Sequence, residues 1–405
     1  MRSLAVLSMH TSPLAQPGTG DSGGMNVYVR ELVGALAQAG VRTEVFVRRS
    51  DGDLPDIVEV EPGFRVVHID AGAVDLAKEQ LPSVVDAFAD GVAAHLGRNR
   101  DTDAIHANYW LSGMAGHRLK HELSLPLVST FHTLARVKAD TGDEEPDVRI
   151  AAETSVIGCS DAILANCADE VSQLVELYGA DPSRIEIVPP GVDHAFFSPG
   201  NRAGARFALG LGDHPVLLFA GRIQPLKGLT VAVAAFAELV ETHPDAVLLV
   251  VGGPSGVDGD EELRTARSLI DAAGLQNRVR FVPPQPHHML STYYRAADVC
   301  VVPSRSESFG LVALEAAACG TPVVAAAVGG LRTLVDHGRT GFLIESRDPG
   351  QYAAAIATLL DSPELAASMA AAAAERSRYF TWSTTAARLR RIYADLTSRA
   401  LVTCA

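Results

Sequence analysis

Val216-Leu217-Leu218-Phe219-Ala220-Gly221-Arg222-Ile223-Gln224-Pro225-Leu226-Lys227-Gly228 reads as a short apolar strand running straight into a glycine-flanked basic loop. A brief, uninterrupted apolar run of this kind suits a strand buried on both faces of a parallel sheet. The pattern recurs downstream at Ala246–Val251, Val279–Val282, Val299–Val302 and Val323–Ala326, with helical stretches between. Upstream, Ser3–Met9 reads as a strand, Gly24–Ala39 as a helix and Arg42–Arg48 as a strand. Phe64–Ile69, a helix over Leu81–Gly97, Ala104–Ala107, Leu127–Thr130, Ala162–Asn166 and Ile185–Val188 continue the series. Alternating strands and helices predict an α/β protein with parallel sheets covered by helices. Pro189-Pro190-Gly191 and Ser198-Pro199-Gly200 interrupt the alternation and mark an interdomain linker. Two Rossmann-like, doubly wound domains follow, residues 1–198 and 199–380. The binding cleft is expected between them and at the carboxyl ends of the strands. Beyond Gly341–Ile344 the chain reads as helical, including the alanine-rich stretch Ala366–Ala374.

The bulk properties narrow the function. The chain has 405 residues, 47% hydrophobic and 20% charged, enough for two globular domains. A net charge of −14 argues against a nucleic-acid partner, which would call for a basic face. It leaves room for an anionic small molecule held by a few local cations. Gly, Pro or charged residues interrupt every apolar run, so no membrane partner is expected. The first apolar run is too short for a secretory segment. Five cysteines (Cys159, Cys167, Cys300, Cys319, Cys404) show no CxxC spacing. Neither a disulfide framework nor a zinc site is expected from them, and a cytoplasmic location fits.

Three motifs carry chemistry. Gly18-Thr19-Gly20-Asp21-Ser22-Gly23-Gly24 opens the first helix, where glycine lets backbone N–H groups approach a phosphate. Thr11–Pro17 separates it from the strand, unlike the tight turn of a dinucleotide site. Arg222 and Lys227 lie five positions apart across a proline turn and converge at a strand end. There they suit a diphosphate and the charge developing on a leaving phosphate. Glu307-Ser308-Phe309-Gly310-Leu311-Val312-Ala313-Leu314-Glu315 sets two carboxylates eight positions apart, about two helical turns. Glu307 is expected in the loop before the helix, where it can hold sugar hydroxyls, and Glu315 further along can hold a ribose diol. Gly320-Thr321-Pro322 and Gly329-Gly330 form a further glycine-lined edge.

Taken together, Glu307–Glu315, Gly221–Gly228 and Gly23-Gly24-Met25-Asn26 resemble family 4 of the retaining glycosyltransferases, of GT-B fold. The resemblance covers nearly the whole chain. It implies retention of anomeric configuration, no metal requirement and no cofactor beyond a nucleotide-diphosphate-sugar donor, UDP or GDP. Donor binding would fall to Gly23, Gly24, Asn166, Arg222, Lys227, Gln285, Glu307, Ser308, Phe309, Gly310, Leu311 and Glu315. Arg222, Lys227, Glu307 and His132 would be the catalytic residues. A closing helix, residues 381–405, would pack back on the first domain.

Within the family, Ser8–Leu14, Pro17–Tyr28, Tyr109–Gly113 and Gly252–Gly256 are similar to the mycothiol-pathway branch. Members of that branch put N-acetylglucosamine from UDP onto inositol phosphate. The likeness implies that Lys78, Tyr109, Thr133 and Arg149 hold the acceptor phosphate, with Asn26 at the inositol. The chain departs from that branch at Gly72–Leu76, one residue shorter, and at Asn108, which replaces a histidine. Lys138–Val148 is also shortened and acidic (Asp140, Asp143, Glu144, Glu145, Asp147). A small anionic acceptor is expected, inositol phosphate first. The alternative is a specialised pathway with another sugar and another acceptor, a carboxylate- or thiol-bearing metabolite. A homodimer is compatible with the sequence.

Other readings stay beside these. An NADP-dependent oxidoreductase would use Gly18, Gly20 and Gly23 with Arg48-Arg49 on the 2′-phosphate. It leaves Arg222, Lys227, Glu307 and Glu315 without a role. Asp51-Gly52-Asp53 and Asp258-Gly259-Asp260 mimic a metal motif but read as solvated turns. His287-His288 reads as surface, and the arginines of the last helix as complements to its dipole.

Overall fold

The computed structural model describes residues 2–18, 20, 22–97, 101–140, 142, 145–256 and 258–404. Thr19, Asp21, Asp143 and Glu144, all named above, lie outside them. The chain begins β1 (Ser3–Leu7), α1 (Gly24–Gln38), β2 (Arg42–Arg48), β3 (Ile57–Glu61) and β4 (Phe64–Ile69). It continues with α2 (Val85–Leu96), β5 (Ala104–Asn108), α3 (Trp110–Leu123), β6 (Leu127–Thr130), α4 (Ala135–Asp140) and α5 (Asp147–Cys159). Next come β7 (Ala162–Ala165), α6 (Ala168–Tyr178), β8 (Ile185–Ile187), α7 (Arg202–Leu209) and β9 (Val216–Ala220). Then follow α8 (Leu229–Leu239), β10 (Val247–Val251), α9 (Gly259–Ala272), β11 (Val279–Val282), α10 (Leu290–Ala296) and β12 (Val299–Val302). The chain closes with α11 (Leu311–Ala318), β13 (Val323–Ala326), α12 (Gly330–Leu334), β14 (Gly341–Ile344), α13 (Pro349–Asp361), α14 (Pro363–Ser377) and α15 (Trp382–Leu396).

Two compact Rossmann-like units result. The first has an eight-stranded sheet ordered β3-β4-β2-β1-β5-β6-β7-β8, parallel except for β3 against β4. The second has a six-stranded, all-parallel sheet ordered β11-β10-β9-β12-β13-β14. Helices bury both faces of each sheet, as an all-parallel arrangement requires. Tyr28, Leu32 and Tyr393 fill one side of the first sheet, and Phe88, Leu111 and Leu119 another. In the second unit, Phe236, Tyr352 and Ile356 oppose Tyr294, Leu314 and Leu331.

Three details differ from the sequence reading. The units divide at Gly191/Val192 rather than at 198, because Val192 and Phe197 already pack in the second core. Gln16–Gly24 also packs with the second unit, whereas α15 belongs to the first. In α15, the Tyr393 hydroxyl and His106 Nδ1 share a hydrogen bond at 2.7 Å, and Thr385 bonds the Pro189 carbonyl at 2.8 Å. Second, β3 escapes notice as a half-exposed edge strand, and α2 starts late because Pro82 confines Lys78–Val84 to a 3₁₀ turn. The arginines of α15 sit before its last turn, exposed, with Arg388 3.7 Å from Glu186.

The cysteines need a larger correction. Cys159 and Cys404, 245 positions apart, form a disulfide, which no local spacing announces. Cys167, Cys300 and Cys319 are buried thiols. Among the described residues, no helix is long and apolar enough to cross a membrane.

Candidate active site

In the second sheet the chain winds outward from β9 to β10 and β11, then returns beside β9 as β12. The carboxyl ends of β9 and β12 therefore flank a topological switch point, the usual ligand crevice of such sheets. The two loops that leave these ends carry Lys227 and Glu307. Lys227 Nζ lies 2.7 Å from Glu307 Oε2, each side chain only partly exposed. Arg305 N–H bonds the Leu226 carbonyl at 2.8 Å, tying the loops together. Gly310, at φ 104°, then turns the chain into α11.

The glycine-lined edge has a steric cause. A Cβ at Gly329 would stand 2.1 Å from the Glu307 carbonyl oxygen, and one at Gly330 2.3 Å from Phe309 Cα. Only glycine lets this turn support the Glu307–Gly310 loop. At Gly23 a Cβ would stand 2.8 Å from Arg222 Nε, so a side chain there would displace the guanidinium rather than the backbone. Arg222 thus rests against the glycine segment that also bonds Pro284 through Gln16 at 2.9 Å.

Glu307 lies in the loop and Glu315 on α11, so the two do not share a helical face. Glu315 is buried, accepting from Tyr294 Oη at 2.8 Å and meeting His287 Nε2 at 2.7 Å. His287, read as a surface residue, is instead half-buried against this carboxylate and 5.0 Å from the Phe197 ring. Ser308 and Leu311 are half-buried, and Phe309 is buried against Phe380. Gln285 bonds the Pro283 carbonyl at 2.9 Å, within its own loop.

The first sheet repeats the topology. Its switch point lies between β1 and β5, and site residues gather where β1, β5 and β6 end. Tyr109 directly follows β5; its φ of 75° and ψ of 158° fall where only glycine is at ease. His132, just after β6, has φ 61°. Among the described residues only one other non-glycine, Ser124 at the end of α3, has positive φ. Strain of this kind persists only where surrounding structure enforces it, and it gathers at functional sites.

Arg149 on α5 is buried, 5.0 Å over the Tyr109 ring, and donates to the Thr133 carbonyl and Oγ1 at 3.0 Å. It also pairs at 2.8 Å with Glu145, just before α5, and with Glu153, one helical turn further along it. Burial works against its charge, but Tyr109, Glu153 and Glu145 outweigh it and hold the pKa above the ordinary value. Glu145 in turn meets Lys138. The sequence signals these partners only through their i,i+4 spacing from Arg149.

His132 donates from Nε2 to Asn108 Oδ1 at 2.9 Å, which leaves Nδ1 as an acceptor. Burial, helped by His106 and His10, lowers its pKa to about 3, so it is neutral at physiological pH. Among the described residues, Asn108 Nδ2 is buried without a hydrogen-bond partner, an open donor beside this histidine.

Asn26 is buried and bonds Thr11 Oγ1 and the Ser12 carbonyl, both at 2.6 Å, fixing the loop after β1. Lys78 opens the exposed 3₁₀ turn before α2. Arg48 holds the neighbouring Ala73 and Val74 carbonyls at 2.8 and 3.2 Å, and Arg49 pairs with Asp56 and Asp70. The arginines of the oxidoreductase reading are thus occupied in loop structure. Asn166 bonds Glu170 through its backbone and side-chain nitrogens at 2.7 and 2.9 Å. Of the metal-like strings, Asp51 caps its own turn through Asp53 N–H at 3.0 Å, and Asp258 precedes α9.

Residues 23–191 match the family described as "Glycosyl transferase 4-like domain", and residues 201–376 "Glycosyl transferases group 1". "D-inositol 3-phosphate glycosyltransferase 2" of Catenulispora acidiphila is 48% identical over 404 residues, 97% of this chain and 94% of that protein. The chain belongs to the family 4 glycosyltransferases. A D-inositol 3-phosphate glycosyltransferase of Streptomyces scabiei is 46% identical, over 97% of this chain and 91% of its own. Among solved structures, sucrose-phosphate synthase from Thermosynechococcus elongatus superposes with a TM-score of 0.91. It is 34% identical, and the match covers 98% of this transferase and 99% of that chain. Anabaena HepE, solved with UDP-glucose, has a TM-score of 0.79 at 20% identity over 98% and 100% of the two chains, and shares the GT-B fold.

Proposed function

We propose that this glycosyltransferase moves a sugar, N-acetylglucosamine first, from UDP to inositol phosphate, with retention of configuration and without a catalytic metal. The observation that carries this reading is the Lys227–Glu307 pair at the switch point of the second sheet. It stands in a chain nearly half identical, end to end, to transferases named for D-inositol 3-phosphate. Arg222 and Lys227 stabilise the charge gathering on the departing diphosphate, the role a metal plays elsewhere. Glu307 orients Lys227 and receives donor-sugar hydroxyls. Glu315, already fixed by Tyr294 and His287, closes the wall behind the nucleotide. Neutral His132 offers a hydrogen bond without adding charge. Arg149, Thr133, Tyr109 and Lys78 take the acceptor phosphate, and Asn26 positions the loop beside the inositol.

A different small acceptor is the second reading, and one observation favours it. Glu145 and Glu153 already occupy the Arg149 guanidinium, and Asn108 adds a donor where the branch has histidine. Transfer from UDP-N-acetylglucosamine onto inositol phosphate and onto free inositol tests both, with the product's anomeric configuration read by NMR. Use of the phosphate alone, with retention and in the presence of a chelator, is the expected result. Turnover of neither acceptor alongside tight UDP-sugar binding selects the second reading, and activity lost to chelation and restored by magnesium removes metal independence.

A further inference from the structure

Tyr109 stands at the N-terminal end of α3; at the other end, about 12 Å or more along the helix, four side chains from three segments converge. His117 and His121 lie one turn apart on α3, Cys159 ends α5, and Cys404 lies in the segment after α15. Their ligand atoms all fall within 4.8 Å of one another. His121 Nε2 is 3.2 Å from Cys404 Sγ and 3.3 Å from Cys159 Sγ, and the two imidazole rings are 5.2 Å apart. A disulfide explains why the sulfurs meet, but not why two histidines at i,i+4 join them.

We infer that, once the Cys159–Cys404 disulfide is reduced, His117, His121, Cys159 and Cys404 bind one Zn²⁺. Two thiolates and two imidazoles are a soft-to-borderline set that favours zinc over magnesium or calcium, and H-x₃-H is a common zinc spacing. Ligands at ordinary zinc bond lengths on a tetrahedron stand about 3.3–3.8 Å apart, close to the nitrogen–sulfur distances here. The supports are built in. Lys120 donates to the Cys159 carbonyl at 2.7 Å and to Asp161 at 2.9 Å. Asp161 also accepts from Val402 N–H at 2.7 Å, so one buried carboxylate fixes both cysteine-bearing segments. Such outer contacts orient ligands before the ion arrives. His121 is exposed, giving the ion a path from solvent.

The reductant supplies two electrons and the S–S bond gains two protons: a thiol is oxidised to a disulfide, and a phosphine with water to a phosphine oxide. Cys159 and Cys404 each then release a proton as sulfur bonds zinc, two protons per ion. Four protein ligands leave no open position, so the site is structural and clamps the C-terminal segment to α3 and α5.

The test uses the full chain, reduced with a phosphine, loaded with zinc and desalted. One zinc per chain is expected, and cobalt in its place should show thiolate charge-transfer and tetrahedral bands. His121→Ala leaves both cysteines intact and should lower zinc retention tenfold or more, as should Cys404→Ser. Zinc should also slow reoxidation of the two thiols in the wild type but not in His117→Ala, a readout that does not depend on the cysteine variant folding. No zinc above the level of His121→Ala, or zinc unchanged in Cys404→Ser, overturns the proposal.

Discussion

The two sheets present the same topology at their switch points but arm them differently. In the second unit, cation and carboxylate come from loops that leave neighbouring strands, Lys227 after β9 and Glu307 after β12, and are only partly buried. In the first unit the cation, Arg149, is buried between two carboxylates, beside two residues in strained backbone. The second arrangement needs little beyond loops and glycines, and suits a diphosphate common to many donors. The first is costly to build and surrounds its cation with specific partners, which suits the selective acceptor site proposed for it.

The sharpest way to break this comparison is to remove the loop pair. Lys227→Ala and Glu307→Ala should each lower kcat about 10²–10³-fold, with the melting temperature little changed. Because the two act as a unit, the double variant should be scarcely worse than the worse single one. Additive losses in steady-state assays would mean that the pair does not work together.

This contrast also governs what the sequence reveals. Strands such as Val216–Ala220 and Val299–Val302 were legible because burial on both faces leaves an apolar run, and glycine marks where the chain leaves the sheet. The motifs proposed to bind the donor are legible because each lies within one strand-to-loop segment. Glu145 and Glu153 were harder, since only the fold shows that Arg149 faces both. Asn108 and His132, 24 positions apart, meet only because β5 and β6 are neighbours. The Cys159–Cys404 meeting depends on the last residues returning to the first unit, and no local signal carries it.

Buried carboxylates sharpen the comparison next. Glu315 in the second unit has a phenol and an imidazole as partners, whereas Glu170 in the first accepts from the backbone and side-chain nitrogens of Asn166. Burial raises the Glu170 carboxyl from an ordinary 4.5 to about 7, despite the Asn166 donors that pull it down. The folded state therefore binds more protons than the unfolded state between those values. Stability is fully present below pH 4.5 and is lost as pH rises through about 7, by about 3 kcal/mol in all. Glu170→Gln should remove that loss, so that denaturant titrations of wild type and variant diverge from pH 5 to pH 8. Parallel curves across this range would show that Glu170 does not titrate there.

Backbone strain comes third. Tyr109→Gly and Tyr109→Ala both delete the ring over Arg149, and differ only in what the backbone tolerates. At φ 75° and ψ 158°, glycine should be the more stable of the two by about 1–3 kcal/mol, even though glycine elsewhere is the poorer residue. Both should lose acceptor turnover. Equal stability would show that Tyr109 is not strained, and the first site would lose one of its distinguishing features.

The smallest expected effect tests whether the first unit's cation is selective. Glu145 lies beside Arg149 and Lys138, so on the proposed reading it competes with the acceptor anion for the same positive charge. Glu145→Gln keeps the side chain's size while removing its charge, and Glu153 still pairs with Arg149 Nε. Arg149→Ala would be a blunter probe, since it strands Glu153 as an unpaired buried charge, typically at a cost of about 3–5 kcal/mol. With Glu145 neutral, an inositol phosphate acceptor should bind about tenfold more tightly, equivalent to about 1.4 kcal/mol, close to the lower end of what one charged hydrogen bond contributes. KM for the phosphate should fall while kcat and the KM for the UDP-sugar stay fixed. A rise in acceptor KM would instead mean that Glu145 holds Arg149 in its working orientation or contacts the acceptor itself. That outcome would turn the first site from an anion pocket into one read by a carboxylate, and would favour the second acceptor class.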